Sequence, residues 1–184
     1  MRETVQTTTE PSALPDSIEQ VFLDYYDLVY RTAYRVTGNA TDAEDVLQTL
    51  FMRLVRRPPD QVQSGWPAYL RQAAVNASLD VVRRRSRSAS LGEMEPWVES
   101  GAPDPHREHE SAELGDQLRA ALAGMHSTAA EMFVLRHVEG YSNREIAQMK
   151  GTSRGSVAVT LFRARGTLRK SLSSYRGGQT DGRQ

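Results

Sequence analysis

Two groups of side chains in this chain have the types and spacings needed to handle nucleic acid. The first lies between Tyr141 and Arg165. Ser142 and Glu145 form an S-x-x-E capping box, which predicts a helix from Asn143 with Ile146, Ala147 and Met149 on its apolar face. Gly151 permits a reversal, and Ser153 is placed to cap a second helix. Along that helix Val157, Leu161, Ala164 and Leu168 recur at three- and four-residue spacing, the mark of a buried stripe. A helix-turn-helix sets such a second helix into the DNA major groove. From Arg154 to Arg176 there are six basic residues and no acidic one, a composition suited to phosphates and guanine edges. The candidate contacts here are Ser142, Arg144, Arg154, Ser156, Val157, Thr160, Arg163 and Arg165. A structural helix pair with a solvated basic face shares the pattern, so the arginines alone do not decide the matter.

The second group follows Pro58-Pro59. A polar loop of Asp60, Gln61, Val62, Gln63 and Ser64 leads through Gly65 to Trp66. Tyr69, Gln72, Asn76, Asp80, Arg83, Arg84 and Arg87 then fall at three- and four-residue intervals, which places them on one face of a helix. Rings stack on bases, amides read Watson–Crick edges and guanidinium groups hold phosphates, so this surface has the parts for gripping unpaired DNA. Trp66 and Tyr69 equally suit the core of a small bundle, whereas Asn76 stands in mid-helix amid alanines.

The elements that must position these groups are helices throughout. Ile18, Val21, Phe22, Tyr25, Leu28, Val29, Ala33 and Val36 share one helical face, ended by Gly38. Thr41 with Glu44 predicts a capping box for a helix that carries Val46, Leu47, Leu50, Phe51, Leu54 and Val55 and ends at Pro58. Pro67 suits the first turn of a third helix, which fades into Arg83-Arg84-Arg85. Further helices are expected at 111–123 and, opened by the pair Thr128 and Glu131, at 128–138. No stretch alternates in the manner of a strand.

The expected fold is therefore all-α, with two small helical domains on either side of an acidic, flexible linker. The divisions are a disordered tail at 1–16, a helical domain at 17–87, a linker at 88–110, a helix-turn-helix domain at 111–176 and a frayed tail at 177–184. Each domain alone buries only about 60% of its unfolded surface and is marginal without a partner. The 184 residues sum to zero net charge, but Arg83–Arg87 is basic, 93–113 acidic and the final helix basic again. With no cysteine, thiolate metal sites, thiol nucleophiles and disulfides are excluded. The polar N-terminus has neither a signal peptide nor a membrane span, so no membrane insertion is expected. No glycine-rich phosphate loop and no paired carboxylates in an apolar setting suggest an enzyme, and no cofactor is expected. His106-x-x-His109 lies in the polar linker, where solvation is the better reading than a metal site.

Beyond these residues, Asp42-Ala43-Glu44-Asp45-Val46-Leu47-Gln48 with Phe51, Ala68-Tyr69-Leu70 and Ala74-Val75-Asn76 resemble region two of the extracytoplasmic-function (ECF) sigma factors of the sigma-70 family. Tyr141 to Arg165 resembles their region four, and together the two cover about 150 residues in the family's order. The resemblance implies a cytoplasmic transcription factor that directs RNA polymerase core to promoters. Its partners would be the beta-prime clamp and beta flap of the core, double- and single-stranded promoter DNA, and an anti-sigma factor. Asp42, Asp45, Gln48 and Arg53 would contact the polymerase core. The loop from Asp60 to Ser64, with Trp66, Tyr69, Gln72 and Asn76, would trap melted minus-ten bases, while Arg83 and Arg84 hold upstream backbone. The helix from Arg154 would read the minus-thirty-five element.

The chain departs from the family pattern at Thr49, where an acid is common, at Tyr69, where tryptophan is typical, and at Ala158, Val159 and Thr160, where basic residues are frequent. These departures keep open a sigma-like decoy that captures an anti-sigma factor without DNA. A regulator of the LuxR helix-turn-helix type shares the Asn143–Val157 pattern, but the strand-free first half is too short for its sensory domain.

Overall fold

The computed structural model describes residues 17–59, 62, 65–91 and 105–178, with side chains from Ala112 to Ser173 in the last of these. Seven helices follow in order among them: α1 (Ile18–Thr37), α2 (Ala40–Arg56), α3 (Trp66–Ser90), α4 (Pro105–Ala123), α5 (Ser127–His137), α6 (Asn143–Met149) and α7 (Arg154–Gly178). The all-α expectation is met.

Local chemistry accounts for most helix ends. Ser17 caps α1, accepting the Gln20 amide at 3.2 Å. Gly38 ends α1 in the left-handed region at φ 67°, donating its N–H to Tyr34 O. The predicted Thr41–Glu44 box is not what starts α2. Asn39 is the cap, its Oδ1 accepting from the Asp42 amide at 3.0 Å, so the helix opens one residue before Thr41. The Thr128–Glu131 pair fails in the same way: α5 starts at Ser127 after His126, without a side-chain cap, and Glu131 points elsewhere.

Two helices are longer than their periodicity suggests. Helix α3 continues through the arginine run to Ser90, held there by Arg85 pairing with Asp42 and by buried Val81 and Val82. Helix α4 begins at Pro105, six residues inside the stretch read as linker. The predicted tail at 1–16 and residues 179–184 of the tail predicted at 177–184 lie outside the described residues, as do 92–104 of the linker; residues 177 and 178 close α7 instead.

Packing centres on α3. On one side Leu70 and Ala74 join Val21, Val29, Leu50, Phe51 and Leu54 in a core with α1 and α2. A second side presents Val75, Leu79 and Val82 to a larger core built from α4 to α7, where Leu135, Ile146, Val157 and Leu161 are buried. Fully burying a Leu, Ile or Val side chain contributes about 1.5–3 kcal/mol, so α3 ties both halves to shared apolar contacts. The halves are therefore packed together rather than apart on a tether.

Candidate nucleic-acid and polymerase interface

In the C-terminal half, the turn forms as its residues dictate. Glu145 N–H donates to Ser142 Oγ at 3.3 Å while Ser142 N–H donates to Glu145 Oε2 at 2.7 Å, a complete capping box. The Ser142 side chain, and then its backbone N–H, hydrogen-bond the Glu145 carboxyl and lower its pKa below the ordinary value. Gly151 takes φ 58° with Thr152 N–H donating back to Ala147 O at 2.9 Å, and Ser153 Oγ accepts the Ser156 amide at 3.1 Å to start α7.

Along α7 the buried side is Val157, Leu161, Ala164 and Leu168, and the opposite side leaves Arg154, Ser156, Arg163 and Arg165 exposed. Arg144 on α6 is also exposed, and Thr160 is half-buried. Val157, counted among the contact candidates, is 0% exposed and belongs to the core; its place in the three/four-residue stripe already said so. Ser142 acts on its own helix, its hydroxyl engaged by the capping box.

One exposed residue escaped the sequence reading. Phe162 is 72% exposed beside Arg163, with Val159 half exposed on the same face. The available signal was that neither falls on the apolar stripe. His137 sits against Phe133, with ring centroids 4.5 Å apart. Partial burial, and then the charges of Arg165 and Arg136, depress its pKa below 6.5.

On α3 the polar stripe is divided among several tasks. Trp66 and Tyr69 meet edge to face at 5.9 Å and pack against the α1–α2 core, with the Trp66 Nε1–H buried and donating no hydrogen bond. Gln72 Nε2 and Asn76 Nδ2 both donate to Glu131 Oε1, at 3.0 and 3.2 Å. Arg83 pairs with Asp80 at 3.1 Å, while Arg84 and Arg87 are exposed. Of the preceding loop, Val62 is half-buried and accepts the Gly65 amide at 3.3 Å; Asp60, Gln61, Gln63 and Ser64 lie outside the described residues.

On α2, Asp45 and Gln48 are exposed, and Gln48, Thr49, Met52, Arg53, Arg56 and Arg57 line a surface groove. Asp42 is removed from that surface. It is 4% exposed, and its carboxylate turns inward to Arg85 at 2.6 and 2.7 Å. It does not belong with the exposed contact candidates, because its position in the first turn faces α3.

No described helix is long and apolar enough to cross a membrane, and no group of three or more acidic or histidine residues able to hold a metal occurs among the described residues. The side chains of His106 and His109 are outside that set.

An arginine-faced helix-turn-helix packed on a three-helix unit with an amide- and arginine-bearing face defines a two-part, helical DNA-reading protein. Residues 21–88 match Sigma-70 region 2, and residues 115–168 match Sigma-70, region 4. The ECF RNA polymerase sigma factor SigE of Mycolicibacterium smegmatis is 33% identical over 170 residues, covering 91% of this chain and 66% of that protein. The RNA polymerase sigma-E factor of Streptomyces coelicolor is 33% identical over 148 residues, covering 79% of this chain and 80% of that one. The chain belongs to the sigma-70 family, in its ECF group of alternative sigma factors, and is not an enzyme. Among solved structures, a fold likeness at TM-score 0.50 and 23% identity covers 84% of this chain and 96% of a chain from the complex of the sigma factor RpoE with the anti-sigma factor NepR from Bartonella quintana. The match of the first half to region 2 sets aside a LuxR-type regulator.

Proposed function

We propose that this sigma factor, acting in the cytoplasm, brings RNA polymerase core to promoters, reads the minus-thirty-five element with α7 and traps melted minus-ten bases on α3. The proposed division is a region 2 domain at 17–87 and a region 4 domain at 111–176. The observation that carries the reading is the outward face of α7, where Arg154, Arg163 and Arg165 stand exposed with no acid among them. Ser156 flanks Arg154, and Phe162 offers an apolar surface of the kind that meets thymine methyl groups.

Polymerase contact falls to the outward face of α2, through Asp45, Gln48 and Arg53. Unstacking a base costs a few kcal/mol, and stacking or pocket contacts return about 1–3 kcal/mol per base. Strand opening therefore runs close to balance, and polymerase must supply the positioning. An anti-sigma partner is part of the proposal, since the similar fold of RpoE was captured with NepR.

Run-off transcription tests the reading. Core enzyme plus this protein, supplied with fragments of its own genome, should yield transcripts absent from core alone. No added transcript from any native promoter, together with capture of an anti-sigma factor but no polymerase subunit, would replace this reading with a decoy.

A further inference from the structure

We propose that Ser90, in the last turn of α3, is a phosphorylation site for an arginine-directed protein kinase, and that its phosphate docks in the cleft between α3 and α4. The run Arg83-Arg84-Arg85-Ser86-Arg87-Ser88-Ala89-Ser90 sets three hydroxyls among four arginines. Each serine has an arginine three residues before it: Arg83 for Ser86, Arg85 for Ser88 and Arg87 for Ser90. A cation at that offset anchors a substrate in the acidic groove of such a kinase. The fold chooses among the three. Arg83 is paired with Asp80 at 3.1 Å, and Arg85 is held by Asp42 at 2.6 and 2.7 Å. Arg87 and Ser90 are both exposed, so Ser90 is the hydroxyl whose anchor faces solvent.

The backbone there can also enter a kinase. Val82 is the last buried residue of α3, and Leu91, after Ser90, is 71% exposed. The final turn is tied by Ser90 Oγ donating to Ser86 O at 2.8 Å and Leu91 N–H donating to Arg87 O at 3.2 Å. Unwinding it takes no buried apolar side chain from the core and leaves Arg85 on Asp42. Such a turn opens at low cost.

The modification is phosphoryl transfer from a nucleoside triphosphate. Ser90 Oγ bonds to the γ-phosphorus while the bond from that phosphorus to the β–γ bridging oxygen breaks. The diphosphate leaves with that oxygen, and the hydroxyl proton passes to the kinase. The product carries about −1.5 to −2 charges at neutral pH. A helix dipole opposes such a charge at the C-terminus, so it needs nearby cations. They are present. Ser86 and Ser90 line a cleft of about 390 Å³ together with Arg85, Asp116 and Arg119. Arg119 Nη2 holds Asp116 at 2.7 Å, and Arg87 lies one turn before Ser90. A phosphate on Ser90 competes with Asp116 for the Arg119 fork and carries the greater charge.

One consequence rests on the reading of α3 given above, in which Arg84 holds upstream DNA backbone. Arg84 and Arg87 give this end of α3 two exposed positive charges. A single phosphate cancels most of that charge, so phosphorylation weakens promoter binding.

The full-length chain is incubated with ATP and the catalytic domain of an arginine-directed serine kinase, and the chain purified from its native host is mapped beside it by mass spectrometry. Phosphate on Ser90 is expected in both, absent from Ser90→Ala and forming roughly tenfold more slowly in Arg87→Ala. An unmodified Ser90 in either sample, or phosphate on Ser86 or Ser88 instead, overturns the assignment. Phosphorus NMR reads the docking. The phosphoserine pKa, about 6 when unperturbed, should fall by about half a unit or more in the folded phosphoprotein and return in Arg119→Gln. Equal values in the two folded proteins overturn the docking, as does an undepressed value in the native phosphoprotein should the variant not fold. With core enzyme on a native promoter, the phosphoprotein should show a slope of log K against log salt shallower by about one unit. An equal slope overturns the consequence for DNA. An unmodified chain inactive with core would overturn the proposed function itself, a failure the mass spectra distinguish because they involve no polymerase.

Discussion

Asp42, in the first turn of α2, and Arg85, near the end of α3, form a two-point ion pair at 2.6 and 2.7 Å with the carboxylate side chain only 6% exposed. The pair closes the three-helix unit at the end where apolar packing thins to Ala33, Ala43, Val46 and Val81. Removing one partner of such a pair leaves the other charge uncompensated, at about 3–5 kcal/mol when fully buried. Arg85 keeps 20% of its side chain in water, which puts the expectation at the lower end. Asp42→Ala should therefore destabilise by about 3 kcal/mol and lower Tm by roughly 6–12 °C in a chain of this length. Calorimetry checks this, and an unchanged Tm would mean the pair contributes nothing net.

Gly38 makes a second prediction, because a side chain there meets left-handed backbone strain and also requires the Arg119 guanidinium to move aside. Its φ is 67°, and a Cβ would collide with the Arg119 guanidinium, which lies over it from α4. Gly140 has φ 80° with nothing within 4 Å of the same added atom. Gly38→Ala should cost more than Gly140→Ala, for which left-handed strain of about 1 kcal/mol is the sole term. Truncating Arg119 in the Gly38→Ala background should recover part of the difference, as measured by urea unfolding. Equal losses for the two glycines would remove Arg119 from the account.

The helix-turn-helix was legible because its information is local. Ser142 with Glu145, Gly151 and Ser153 each act within six residues of chain, and each bond forms where spacing places it. The α3 surface was legible in composition but not in state. Glu131 sits at capping-box spacing from Thr128, yet it serves Gln72 and Asn76, 59 and 55 residues away. Periodicity ranks faces of one helix and says nothing about which distant helix covers them. Val75 and Leu79 show the same limit: α3 carries apolar residues on two sides, which blurs its amphipathic pattern, and the second side is explained only by α4 to α7. Asp42 was misplaced since an acid in a first turn reads as a solvated, dipole-favoured residue whether or not an arginine 43 residues later reaches it.

Ser142→Ala should raise the Glu145 pKa toward its ordinary value, since the Ser142 hydroxyl and amide are the groups that lower it. The sign follows directly. A carboxyl depressed in the folded state adds stability above its unfolded pKa of 4.5, and that stability is lost as pH falls through the folded value. Loss of the serine cap also costs typically ~1 kcal/mol. Carboxyl NMR titration of the two proteins checks the first point; superimposable Glu145 curves would refute it.

His137 works in the opposite sense. Its pKa is lowered by burial, then by Arg165 and Arg136, so the unfolded chain protonates first as pH drops. Stability should fall below pH 6.5 and level off once the folded form also binds the proton. His137→Gln should flatten that stretch of the stability–pH curve, as read by urea midpoints at closely spaced pH values. Imidazole NMR giving a His137 pKa at or above 6.5 in the native protein would sink the argument.

Phe162 and Arg163 allow base reading to be separated from charge on α7. Phe162 is exposed and apolar, and Arg163 beside it is exposed and cationic. An arginine on phosphate weakens binding uniformly across sequences and contributes about one unit to the slope of log K against log salt. A residue reading a base edge instead loses about 1–3 kcal/mol at one position and leaves other positions unchanged. With holoenzyme on a set of minus-thirty-five variants, Phe162→Ala should erase preference at a thymine-bearing step and leave the salt slope unaltered. Arg154→Ala should lower the slope by about one unit and scale all promoters together. Arg163→Ala then decides its own role by which of the two patterns it follows. If Phe162→Ala changes neither preference nor affinity, the exposed ring has no part in promoter reading, and recognition on α7 falls to its arginines and to DNA shape.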